Sequence, residues 1–121
     1  MIVQQFSLQR QVEMVFQEIK EELAYLSSGI VFIQIRNNVV GKFGVRHDPL
    51  ESKSGRLEHK RQGLTEAQWL SFKQMAIDSL RYKRNWTHGE ICYEFALKLD
   101  TLCASVQFES NYNMANLLAT K

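Results

Sequence analysis

Six side chains in this sequence have the chemistry to ligate a metal or to open a covalent reaction: His47 with its neighbour Asp48, His59, His88, Cys92 and Cys103. Zinc sites draw their ligands from intervals such as CxxC or HxxxH, and none of these residues is set at one. His88 and Cys92 fall four residues apart on a predicted strand, which separates them by roughly 13 Å and prevents a local dyad. Glu90, Glu94 and Glu109 alternate so as to share one face of a sheet. Paired carboxylates there would suit acid–base work, but a half-solvated sheet face reads the same way. The glycines are scattered, so no loop cradles a phosphate. No set of nucleophile, base and orienting group can be assembled. The expectation is a protein that is not an enzyme and carries no metal and no cofactor.

Charge is distributed unevenly. The net charge is +2, but residues 1–35 sum to −2, residues 36–84 to +6 and residues 85–121 to −2. Within the basic middle, the stretch RHDPLESKSGRLEHKRQG (46–63) has only Leu50 and Leu57 as large apolar residues. A long polar segment of this kind reads as an exposed connection or an edge arm. Arg56, Lys60 and Arg61 lie in it. Arg81, Lys83 and Arg84 follow further on, next to Tyr82 and Trp86. Cations for phosphates and aromatic faces for bases are the chemistry of nucleic-acid binding. Aromatics beside arginines also mark protein interfaces. These seven residues (Arg56, Lys60, Arg61, Arg81, Lys83, Arg84 and Trp86) are the candidate partner-binding set. Their two clusters flank a helix about 25 Å long, so they do not automatically form one patch.

The elements that position these groups are legible from periodicity. Leu8, Val12, Val15, Phe16, Ile19, Leu23 and Leu26 recur at spacings of three and four, predicting a helix over 7–27 with Ser7 as N-cap and Gly29 as stop. IVFIQIR (30–36) and VVGKFGV (39–45) read as strands joined by an Asn37-Asn38 turn, with Gly41 and Gly44 marking a bulge or a close approach. Leu64-Thr65-Glu66-Ala67-Gln68-Trp69 holds a capping box and a hydrophobic staple, opening a helix that ends near Tyr82. GEICYEFALKLDTLCASVQFE (89–109) alternates strictly and predicts a hairpin. A turn at Asp100-Thr101 sets Leu99 opposite Leu102 and Tyr93 opposite Phe108. That register puts Cys92 and Cys103 on the polar face, too far apart for a disulfide. Ser110 or Asn111 would cap a short last helix carrying Met114, Leu117 and Leu118.

The fold class is therefore α+β: an antiparallel sheet of four or five strands with two long helices on one face, in the order αββ(β)αββα and within one domain over 1–121. Each half reads helix, glycine, hairpin, with Gly29 and Gly89 in matching roles. Counting Arg56–Gln62 as a further edge strand gives αβββαββα. That element order resembles the fold of type III secretion chaperones, which implies a fold analogy and no function. Those chaperones are typically acidic, whereas this chain is basic. No apolar run approaches the ~20 residues of a membrane span, and the N-terminus lacks the pattern of a signal peptide, so a cytoplasmic protein is expected. The sheet face away from the helices mixes Glu, Cys, Ser, Gln and Ala with β-branched residues, which suggests burial by self-association. The functional expectation is a small intracellular regulatory or adaptor protein, acting by protein–protein contact and forming a homodimer. Nucleic-acid binding through the basic segment is the alternative.

Overall fold

The computed structural model describes residues 6–58 and 62–119. Four strands form one antiparallel sheet: β1 (Ser28–Arg36), β2 (Val39–His47), β5 (His88–Lys98) and β6 (Thr101–Ser110), in spatial order β2-β1-β5-β6. The helices α1 (Leu8–Glu18) and α3 (Glu66–Ser79) lie on one face. The short α2 (Lys20–Leu23) extends α1, a 3₁₀ turn at Leu80–Tyr82 extends α3, and α4 (Met114–Ala119) follows β6. The expected α+β architecture is present, with four strands in the sheet.

Alternation decides which side chains reach the core. Val31, Ile33 and Ile35 of β1 and Ile91, Tyr93 and Phe95 of β5 are buried, meeting Val12, Val15 and Phe16 of α1 and Trp69, Phe72 and Ala76 of α3. Aromatic rings knit the layers edge to face. Phe16 meets Phe72 at 5.0 Å and Tyr93 at 5.9 Å, and the Trp69 indole N–H donates to the Phe16 carbonyl at 2.9 Å. Fully burying each such side chain contributes roughly 1.5–3 kcal/mol, so this layer is the main source of stability.

The caps at the helix starts form as expected. The Ser7 hydroxyl accepts from the Arg10 N–H, and the Thr65–Gln68 capping box is complete. The first helix departs from expectation at its end. It breaks at Ile19 and finishes at Leu23, with Gly29 placed inside β1. The cause is tertiary: the Leu64 N–H donates to the Leu23 carbonyl, and the Gly63 backbone lies so close to Ala24 that a β-carbon would sit 2.1 Å from its oxygen. The returning chain terminates the helix, as a C-cap residue otherwise would.

Both hairpins turn through two residues with positive φ, Asn37-Asn38 and Leu99-Asp100. The first is as expected, and the bulge foreseen from the glycines lies between the Ile33↔Phe43 and Ile35↔Val40 pairs. The second is shifted. Leu97 pairs with Leu102, Phe95 with Ala104, Tyr93 with Val106 and Ile91 with Phe108. The apolar face is unchanged, because the slip is two residues, but Leu99 leaves the ladder for the turn. A turn centred on Asp100-Thr101 would need a β-branched residue at positive φ, which is more strained than leucine there. Cys92 pairs with Gln107 and Cys103 with Ala96, and both thiols are free.

The polar stretch after β2 folds into a separate ribbon, β3 (Ser52–Lys53) with β4 (Arg56–Leu57). Among the described residues no fifth strand joins the main sheet, and residues 59–61 of the expected edge strand Arg56–Gln62 lie outside the described residues. Among the described residues, no helix is long and apolar enough to cross a membrane.

Candidate interaction site

The described candidate basic residues do not converge. Arg56 sits exposed on the β3–β4 ribbon, which leaves the sheet where His47 pairs with Gly29. Arg81–Arg84 lie at the other end of β1, beside the Asn37–Asn38 turn, where Trp86 and Asn38 exchange hydrogen bonds of 2.9 Å. Nine residues of β1 separate the clusters, roughly 30 Å of strand. Lys60 and Arg61 lie outside the described residues. Arg81 is exposed and bonded to the Tyr82 hydroxyl at 3.2 Å, which with the Tyr82 charge raises its pKa. Arg84 is exposed. Lys83 donates to the Asn85 carbonyl at 3.0 Å and lies over the Trp86 ring. Trp86 itself is 1% exposed and packs edge to face on Phe108, so it is a core residue and cannot touch a partner.

The described histidines and cysteines are equally dispersed, and His59 lies outside the described residues. His47 pairs with Glu22 at 2.6 Å, while the neighbouring Asp48 carboxylate accepts from the Ser28 hydroxyl. They line a cleft of about 840 Å³ with Tyr25, Leu50 and Glu58. Hydroxyl and imidazole have different partners, so no activated nucleophile is formed. Among the described residues, no group of three or more His, Cys, Asp or Glu side chains is placed to hold a metal.

On the open sheet face only the centre is covered by the chain itself, while Gln34, Glu94, Cys103, Ser105 and Gln107 are exposed. The Arg46 guanidinium stacks on Phe32 at 4.3 Å and donates to Glu90 at 3.2 Å and to Cys92 at 3.8 Å. The Cys92 contact and then the Glu90 carboxylate raise the Arg46 pKa. The apolar centre of that face, Phe32 paired with Cys92, is thus capped by a charge.

The two sheet edges differ. On β2 the edge is broken by the bulge and carries Lys42 and Arg46, and the freed Val40 N–H is taken up by Gln11 at 2.7 Å. On β6, ten residues (TLCASVQFES) run without bulge or proline, with Glu109 as the single charge. Among the described residues, no strand pairs with its outer side. Beside it, between α3 and β6, lies a groove of about 950 Å³ with a mixed lining, Met75, Ala104, Val106 and Phe108 together with Asp78 and Arg81. Alternation places Ala104, Val106 and Phe108 on one face in the sequence, but only the structure shows that Ala104 is left exposed and Val106 half-buried. No family model, curated protein or solved structure matches this chain.

Proposed function

We propose that this chain is a small non-enzymatic regulatory or adaptor protein that works through protein–protein contact and is itself a homodimer. The observation that supports this most is the β6 edge. Soluble proteins defend long edge strands with bulges, prolines, lysines or covering elements. Here one edge carries such defences, and among the described residues the other has no bulge, proline, lysine or paired strand, next to a groove of mixed lining. Support for self-association therefore rests on this edge and not on the open sheet face, whose centre Arg46 covers. The nucleic-acid alternative draws less support, because its described cations, Arg56 and Arg81–Arg84, stand at opposite ends of the sheet.

Light scattering coupled to size-exclusion chromatography tests the reading. At tens of micromolar the expected particle has twice the 14.1 kDa chain mass. A strict monomer at several hundred micromolar would refute the dimer.

A further inference from the structure

Leu99 is the most anomalous residue of the chain. It sits at φ +50, a region leucine adopts only under strain, and its side chain is 100% exposed. Asparagine or glycine would relieve both conditions in a turn of this type. Such an outlier points towards a contact that uses it.

A second anomaly lies at the other end of β6. There Tyr112, Met114 and Leu118, on and just before α4, are all more than half exposed. A six-residue helix is too short to be stable in water by itself, so this apolar surface needs cover. Within one molecule α4 and Leu99 are kept apart by the whole of β6, about 30 Å of strand.

Both anomalies resolve if the undefended edge meets itself. We propose that two copies of this chain pair through β6, antiparallel about a two-fold axis near Ser105, with Leu99 of each copy packed against α4 of the other. This rests on the dimer reading above and specifies its surface. Antiparallel pairing sets Leu99 opposite residue 111 of the second copy, at the approach to its α4. The two-fold keeps both helical layers on one side, so the two α3 grooves face each other and Ala104 and Val106 become covered. The two four-stranded sheets join into one of eight strands, within the usual size of an open sheet. A foreign strand would satisfy the edge but would leave Leu99 and α4 as they are. A second copy accounts for edge, turn and helix together.

Three variants and one cross-link test this. Ala104→Lys places a charge in the groove at an exposed position. Leu99→Asn removes the apolar contact while relieving the turn, and Leu118→Asp breaks the contact from the α4 side. Each is expected to weaken the dimer by about 100-fold or more, because every substitution acts twice across the axis. Circular dichroism should stay unchanged, and Leu99→Asn should unfold no more easily than the wild type once both are diluted to monomer. Cys103, exposed on β6, lies about 13 Å from its counterpart when the axis passes near Ser105. A bismaleimide of that span should therefore yield covalent dimer with Cys92→Ser and none with Cys103→Ser. A wild-type dimer indifferent to all three substitutions, or cross-linked through Cys92 alone, would overturn the β6 assignment and leave the dimer standing. A wild-type monomer would overturn both.

Discussion

The phenol of Tyr93 lies in the core, 3.3 Å from the Ser79 hydroxyl and 3.4 Å from the Ala76 carbonyl, to which Ser79 also donates at 2.6 Å. Burial disfavours the phenolate and pushes the Tyr93 pKa up to about 12, against a smaller opposing effect of Ser79. The sign follows from linkage. Below pH ~10 the phenol is neutral in both the folded and the unfolded chain, and its full contribution to stability is present. Above that, the unfolded chain releases the proton and the folded chain does not, so stability falls until pH passes the folded value. Two pH units correspond to a loss of about 2–3 kcal/mol. Urea midpoints measured from pH 8 to 12 should show this alkaline decline in the wild type, and Tyr93→Phe should remove that part of it. Near neutrality the variant should be about 1 kcal/mol less stable, through its lost hydroxyl. An identical decline in both proteins would show that Tyr93 is not the group responsible. The burial of Tyr93 was legible from alternation alone. Its hydroxyl partners were not, because they come from α3 through a packing that no local pattern encodes.

Among the elements, β2 depends on a single side chain from α1. The Gln11 amide oxygen accepts from the Val40 N–H, and its nitrogen donates to the Phe6 and Asn38 carbonyls at 3.0 and 3.2 Å. Gln11→Ala leaves a half-buried N–H without its partner and should lower stability by about 1–3 kcal/mol, read as an earlier urea midpoint. If the midpoint does not move, water or another group replaces Gln11 at the bulge. A harsher outcome is expected at the start of β5, where a β-carbon on Gly89 would sit 2.3 Å from the Glu109 oxygen and 2.4 Å from the Trp86 ring. Gly89→Ala should be destabilised by about 3 kcal/mol or more, because backbone and a buried indole must both shift. A near-neutral Gly89→Ala would mean that Trp86 is free to move. These contacts also show where sequence reading stops. Helix starts, strand faces and the first turn follow from local chemistry, which the caps at Ser7 and Thr65 and the pair Asn37-Asn38 make explicit. The end of α2 and the depth of Trp86 depend on residues far along the chain, Leu64 for the first and Phe108 for the second, and the turn at Leu99 depends on a two-residue choice of register that leaves the apolar face the same.

At the scale of the whole molecule, the repeat of helix, glycine and hairpin becomes a two-fold relation between halves. β1 and β5 pair antiparallel at the centre; Gly29 lies opposite Phe95 and Gly89 opposite Ile35, so a local axis passes through the Phe32↔Cys92 pair. The two αββ halves meet along nine register pairs in this seam, and the chain between them contributes chiefly through Gly63 and Leu64 docking on α2. The ribbon tip is different. Ser54 and Gly55 are exposed, both have positive φ, and a β-carbon on Gly55 would meet nothing within 4 Å. Insertion of four Gly/Ser residues between Ser54 and Gly55 lengthens a loop whose closure entropy grows only slowly, at about 0.6 kcal/mol for each doubling. The expected loss is under ~1 kcal/mol, with the thermal transition still single and cooperative. The same insertion between Leu99 and Asp100 opens the β5–β6 ladder at its tight end and should reduce stability by several times as much, since register there is held by the turn as well as by the apolar face. Comparing the two insertions by differential scanning calorimetry therefore measures how much more stability rests on the β5–β6 turn than on the ribbon tip. Equal losses would mean that the ribbon is part of the folding unit.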